Sequence, residues 1–481
     1  MRVLEPYLPS LSQLRAGTDD DLLLAVVLLL TSSQIAEWRS QLSDFVQREV
    51  QHRVLYGPRG TYDIMALLLV SQCPNDVFPD AFQISALDGS GILAAGASAC
   101  RTRRMDESST PNDNATMLWA CLCLQSSLNC IMEDVTRKPV AKLKNMEALG
   151  SENDLFKTRF RYIEEVRVLC RALADELCVE KTLGTPQDAC DKAKTCLQAV
   201  NQASSKHRMA LRHGHPSQSA LLAYLDLEQE IVHYAAISQI INILFRPFVY
   251  HVKEPVSSVD FFRSFHAQAD YLDAFVSVGT ARIVAAKLLI YKYLALVRKY
   301  GRKHPLRPDV EPNMRQQTEQ LGFLRPRNYF LYAALVAAAK AVAEECSGRW
   351  FAGHVPDAGE EMALWHGNLL LLERLQRDII GLPRGTQLLE TIVKALRQTV
   401  LTLGAWIEAA ERQALRGTFP RLIADTTSGP DAEESSFDDF RFAESFINDI
   451  LDGDILGSPS DFLHPPFSLR EASPLTQSFP L

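Results

Sequence analysis

Apolar residues return at helical spacing along nearly the whole chain, and this constrains the fold more than any other feature. From about Ser10 to about Arg416 the leucines, alanines and valines recur every three or four positions, the repeat of one helix face. "DLLLAVVLLLTSSQIAEWRSQLSDFVQREV" reads as one or two helices. "TYDIMALLLVSQ" reads as a helix capped by Thr61, just after the turn at Gly57, Pro58 and Gly60, and stopping before Pro74. "TMLWACLCLQSSLNCIMEDV" predicts a buried helix ahead of Pro139, and "DLFKTRFRYIEEVRVLCRALADELC" a long amphipathic one. "ALLAYLDLEQEIVHYAAISQIINILF" predicts a helix ended by Pro247, whose ring would clash with the Ile243 carbonyl. Further helices are expected over Phe261 to Tyr300, Tyr329 to Glu345, Glu360 to Ile380 and Thr386 to Leu415. No series of alternating short strands interrupts them. The reading is all-α: a large multi-helix domain, with polar breaks at Met105 to Asn114, Ser204 to Ser219 and Gly301 to Asn328 taken as surface loops.

The pattern stops at "TTSGPDAEESS", Thr426 to Ser436. Residues 1–425 form the expected helical domain, 426–436 a linker, 437–463 an acidic-aromatic segment, and 464–481 a disordered tail rich in Ser, Pro and Phe. Charge marks the same boundary. Ten acids lie between Asp431 and Asp461 with only Arg441 against them, a local net of −9 in a chain whose total is −8. The body is therefore close to neutral. That argues against a broad phosphate-binding face, which needs clustered Lys and Arg.

Composition excludes other classes. With 47% hydrophobic and 22% charged residues the chain can bury a sizeable core. The apolar run Leu22 to Leu30 is nine residues long against the roughly twenty needed to span a bilayer. It follows Asp19, Asp20 and Asp21 where a signal peptide carries basic residues, so a buried helix and no membrane are expected. The ten cysteines include no C-x-x-C pair and read as free thiols of a reducing compartment.

Motifs that carry chemistry elsewhere fail here on context. "LDGSGILAAG" places Gly89, Gly91 and Gly96 in a pattern near a dinucleotide loop, but the last spacing is wrong and no βαβ unit surrounds it, so a helix-connecting turn is expected. His213 and His215 in "RHGHP" lack a nearby third metal ligand. Asp438-Asp439 and Asn448-Asp449 evoke the metal motifs of α-helical terpene cyclases. Those motifs must face each other from different helices, and here they share one short segment. No catalytic residue, metal or cofactor is expected, and an α-helical enzyme of that type is the weakest reading.

"IVHYAAISQIINILFRPFV", Ile231 to Val249, resembles the helix ending in an aliphatic-aromatic-Arg-Pro-Phe step in the regulatory (middle homology) region of fungal binuclear zinc-cluster transcription factors. Three other stretches fall in that family's order. "GTDDDLLLAVVLLLTSS" is similar to the first helix of the region, and "GPRGTYDIMALLLVSQCP" to the next. "TMLWACLCLQSSLNCIMEDVTRKP" is similar to the helix with a central Trp leading to a Gly-Arg-Pro turn, here Trp119 and Arg137-Lys138-Pro139. Trp119, Arg246, Pro247 and Phe248 are the signature positions, read as fold markers more than ligand contacts. The resemblance covers about Leu8 to Leu415. Two departures stand beside it: the six-cysteine DNA-binding module is absent from this sequence, and Asp76 to Cys100 lacks the Trp that opens the family's next helix.

The resemblance implies a nuclear transcription regulator of RNA polymerase II genes, a small-molecule effector in the helical domain, a homodimer, and DNA contact only through an N-terminal module. It also gives the acidic segment a use. On a helical wheel Phe440, Phe442, Ala443, Phe446, Ile447, Ile450 and Leu451 fall in one half. Asp438, Arg441, Glu444, Asn448, Asp449 and Asp452 fall in the other, with Asp439 the exception. Ser436 and Asp439 form a capping-box pattern. Such a segment fits an apolar groove with a basic rim and folds as it binds. Phe437, Phe440, Phe442, Phe446, Ile447, Ile450, Leu451 and Ile455 are its expected contacts with a transcriptional coactivator. The rival for this segment is a helix docked on its own domain. The rival for the whole chain is a helical co-regulator or scaffold that never touches DNA.

Overall fold

The computed structural model describes residues 21–31, 36–72, 89–105, 114–143, 146, 149, 154–179, 186–214, 219–251, 269–300, 329–351, 360–380 and 387–418. Among them are twelve helices and no strand: α1 Asp21–Thr31, α2 Ala36–Tyr56, α3 Thr61–Gln72, α4 Gly89–Thr102, α5 Asn114–Met132, α6 Asp154–Val179, α7 Pro186–Gly214, α8 Ser219–His251, α9 Ala269–Tyr300, α10 Tyr329–Phe351, α11 Glu360–Ile380 and α12 Gln387–Thr418. The all-α expectation holds.

The helices pack in chain order around α8. The first layer is α1 against α2 and α3, α3 against α4, and α4 against α5. Helix α8 then packs on α5, α6, α7, α9 and α10, and α10 carries α11 and α12. Between Leu225 and Leu244 only Asp226, His233 and Ser238 are less than buried, so α8 is enclosed on every side, as a helix apolar most of the way round must be. One continuous hydrophobic cluster runs from Leu22 to Ala410. Among the described residues only α5, over Ala115–Met132, is long and apolar enough to cross a membrane, and 83% of that window is buried inside the protein. Its apolar surface is used as core.

Local chemistry explains the element ends. Helix α2 stops at Gly57, which takes φ +89° and donates its N–H to the Arg53 carbonyl, the left-handed closure that glycine accepts without a side-chain penalty. At the start of α3 the closure comes from Asp63 more than from Thr61. The Asp63 carboxylate accepts the Arg59 N–H at 2.7 Å and the Arg53 Nε at 2.6 Å, tying α2 to α3. Helix α4 ends with Met105 N–H donating to Cys100 O and Arg104 N–H to Arg101 O, a Schellman closure. Its left-handed position is held by Arg104 at φ +55°.

Three expectations are corrected. Gly89, Gly91 and Gly96 form no connecting turn: all three lie in α4. A Cβ on Gly96 would sit 3.5 Å from Leu122 Cδ2 and 3.8 Å from Ile64 Cγ2, so α4 lies close against α3 and α5. Ser204 to Gly214 is no loop but the second half of α7. Its buried face is Ala203, Ser204, His207 and Leu211, a helical stripe hidden from a purely apolar count because two of its members are polar. Finally, Pro247 does not end α8, which runs on to His251. A proline removes one backbone hydrogen bond and strains one turn. Ile240, Ile241, Ile243 and Leu244, all buried just before it, anchor the helix into that turn.

Candidate functional site

Helix α8 carries "LDLEQEIVH" across its crossing with α6, α7 and α9, and five of those nine side chains are polar or ionisable. Inside a protein such groups need placed partners, since an unpaired buried charge is expensive. Here each side chain has at least one, although Glu230 Oε2, Gln229 Oε1, His233 Nδ1 and Arg208 Nε are buried without a hydrogen-bond partner. Arg159 of α6 presents its guanidinium fork to Glu228, with Nη2 donating to Oε2 at 2.6 Å and Nε donating to Oε1. Both residues are buried. Glu230 is fully buried; its Oε1 accepts from Arg208 Nη2 of α7 at 2.6 Å and from Lys292 Nζ of α9 at 2.5 Å. Lys292 also reaches Asp226 Oδ2 at 2.9 Å. Three cations from three helices thus meet three carboxylates from α8.

Neutral polar groups line the same seam. Gln229 donates Nε2 to the Ser204 carbonyl at 2.8 Å and shares a 2.7 Å contact with the Ser204 hydroxyl. Tyr162 donates to the Gln229 carbonyl at 3.4 Å, and its ring stacks on His207 with centroids 4.5 Å apart. Burial, helped by the charge of Arg159, lowers the His207 pKa to about 4, so this imidazole is neutral at physiological pH. His233 pairs Nε2 with Asn201 Oδ1 at 2.8 Å and turns Nδ1 toward Glu230 Oε2 at 3.9 Å. Burial lowers its pKa too, with Glu230 opposing.

The charge pattern continues along α9. Arg282 pairs with Glu344, and Lys287 with Glu345 at 2.7 Å, both on α10. Asn368 of α11 donates to the same Glu345 at 2.8 Å. Chemically, the seam is an ion-matched lock that fixes the register of α6 to α10. Among the described residues no group of three or more His, Cys, Asp or Glu side chains is placed to hold a metal ion.

A separate small cleft of about 60 Å³ opens where α5 ends, beside the Arg137-Lys138-Pro139 turn. Glu133 accepts the Ser90 hydroxyl at 3.1 Å on both oxygens and Arg137 Nη1 at 2.8 Å. The volume suits a few waters and is well below the several hundred Å³ typical of a small-molecule site.

The sequence-predicted residues divide cleanly. Phe437, Phe440, Phe442, Phe446, Ile447, Ile450, Leu451 and Ile455 lie outside the described residues. Arg246, Pro247 and Phe248 sit in the last turns of α8, where the backbone alone is described. Trp119 is buried in α5, its ring 5.8 Å from the Arg101 guanidinium of α4, which fits a packing role. His213 falls in the last turn of α7 and His215 outside the described residues. The seam itself was missed. The usable signal was the density of Asp, Glu, Gln and His in the middle of an otherwise aliphatic helix.

Compared with known proteins, the chain matches no family model, no curated protein and no solved structure.

Proposed function

We propose that this chain is a transcription regulator of the fungal zinc-cluster type, whose helical body is the regulatory region and whose acidic-aromatic segment recruits a coactivator in the nucleus. The observation that carries the proposal is order. The four stretches that resemble the family's regulatory region occur in the family's sequence, and they fall in α1, α3, α5 and α8. Helix α8, the most specific of them, is the helix on which α5, α6, α7, α9 and α10 converge. DNA contact by these residues forms no part of the proposal, because outside Asp431–Asp461 the net charge is only +1.

The test is a reporter assay with residues 435–463 fused to an unrelated DNA-binding domain. Activation is expected. Apolar anchors dominate helix-in-groove binding, while rim charges mainly set encounter rate. Phe446→Ala with Leu451→Ala is therefore expected to lower activation more than Asp438→Asn with Asp449→Asn. A segment that activates nothing in this context removes the activator reading and leaves the helical co-regulator.

A further inference from the structure

Helix α9 leaves one apolar face uncovered. Val284, Leu288 and Tyr291 expose 59%, 36% and 58% of their surface, and Ala295 is exposed beyond them. These residues follow one another at four, three and four positions, so they fall within an arc of about 60° of the helix. The other side of α9 is core, with Ala286, Leu289, Ile290 and Tyr293 buried. Among the described residues no other helix exposes three large apolar side chains along one face. A contiguous apolar strip on an outer face marks a place that a partner covers.

Charge selects the partner. Between Asp273 and Asp309 the sequence carries eight Lys and Arg and no Asp or Glu. Arg282, Lys287 and Lys292 are matched by carboxylates of α8 and α10. The excess begins at Arg298, exposed in the last turn of α9 where the strip ends. A second copy laid on this face would bring like charges together, which opposes self-association. An acidic helix with an apolar side meets both features.

We propose that this strip is the docking face for the chain's own acidic-aromatic segment, residues 437–463, which folds on it as a helix. The apolar half of that segment advances eleven residues from Phe440 to Leu451, and the strip advances eleven from Val284 to Ala295. Both are therefore about 16 Å long at the helical rise. The ten acids between Asp431 and Asp461 complement the basic end of α9. The tether is long enough. Helix α12 ends at Thr418, and the eighteen residues 419–436 span up to about 60 Å. A body of about 400 residues has a radius of gyration of about 21 Å, so every face is within reach. Tethering also holds the segment at an effective concentration near the millimolar range, so a contact of modest intrinsic affinity is occupied. While docked, the segment buries its own apolar contacts, and a coactivator competes with α9 for them. The docking itself does not rest on the activator reading, because it concerns two parts of one chain.

The experiment places a photoreactive side chain in the purified full chain, Tyr291→p-benzoylphenylalanine, and maps the products of irradiation by mass spectrometry. The control is Tyr56→p-benzoylphenylalanine, at a still more exposed tyrosine on α2. The expected product is an intramolecular cross-link from position 291 to residues 437–463, at about ten times the yield from position 56 and unchanged on dilution. Raising the salt concentration lowers that yield. Phe446→Asp with Leu451→Asp, which alters the segment and leaves the helical body untouched, lowers it to the control level. Equal yields from the two positions overturn the proposal. So does a cross-link from position 291 that joins two chains, which makes the face a contact between copies, and so does a yield that the double change leaves intact. Failure of the segment to activate a reporter leaves the expected cross-link unchanged, so the two proposals fail separately.

Discussion

Helices α3 and α8 are both enclosed by the protein, yet different forces hold them. In α3, Ile64 to Val70 is an unbroken aliphatic and Met run with every side chain at 3% exposure or less. In α8 the central turns are as deeply buried, but Glu228, Gln229, Glu230, Gln239 and Asn242 share the helix with isoleucines. Apolar burial is non-directional and tolerates any partner of suitable volume. Charged burial is tolerated only where each group meets a counter-charge in one geometry. The first helix is therefore held by amount of contact, and the second by position of contact.

The largest difference should come from opening a cavity in the apolar helix. Leu68 is fully buried in α3, and Leu68→Ala is expected to cost about 4 kcal/mol in chemical denaturation, with little dependence on salt or pH. A loss under about 1 kcal/mol would show that α3 is loosely packed and would break the contrast. Next comes Glu230→Gln in α8, which keeps the shape but leaves Arg208 and Lys292 facing a neutral amide. Both cations retain some solvent exposure, so a cost of about 2 kcal/mol is expected, below the value for a fully enclosed pair. The double change with Lys292→Met should recover part of that loss. If it adds to the loss instead, the pair is not coupled.

A pH series separates the two regions further. His207 has a folded pKa of about 4 against an ordinary 6.5, so the native state favours the neutral ring. Above pH 6.5 the ring is neutral in both states and this contribution is complete. As pH falls toward 4 the unfolded chain binds a proton that the native state refuses, and stability declines across that window. His207→Phe, which keeps the stack on Tyr162, should flatten that decline, while Leu68→Ala leaves its slope unchanged. An unaltered slope in His207→Phe would place the acid sensitivity elsewhere.

The smallest expected effect is a gain. Gly96→Ala in α4 meets Leu122 and Ile64 at ordinary van der Waals distance, so it should stabilise by about 0.5–1 kcal/mol through helix propensity alone. Destabilisation by that change would mean that the approach of α4 to α3 and α5 leaves no room even for a methyl group.

Much of the fold was legible because its signal is local. Continuous apolar runs mark α1 and α3, and leucine- and alanine-rich stretches mark α5 and α11, without reference to anything else, since apolar helix surface must be buried somewhere. The same logic failed for α7, whose buried face of Cys190, Ala193, Cys196, Val200, Ala203, Ser204 and His207 is built from small and polar side chains. It failed again for α4, where Gly89, Gly91 and Gly96 suggest a turn in one dimension but lie within a single helix in three.

What the sequence determined by itself is the all-α class, the identity of most helices, and the concentration of the net negative charge in Asp431–Asp461. What only the tertiary structure decided is which charges meet. Arg159 and Glu228 are sixty-nine residues apart, and Lys292 and Glu230 sixty-two. Nothing in either local stretch encodes the other. The hydrophobic effect depends on how much surface is removed from water and can be read from composition and period. A buried ion pair depends on distance and direction, and those exist only once α6, α7, α8 and α9 have crossed.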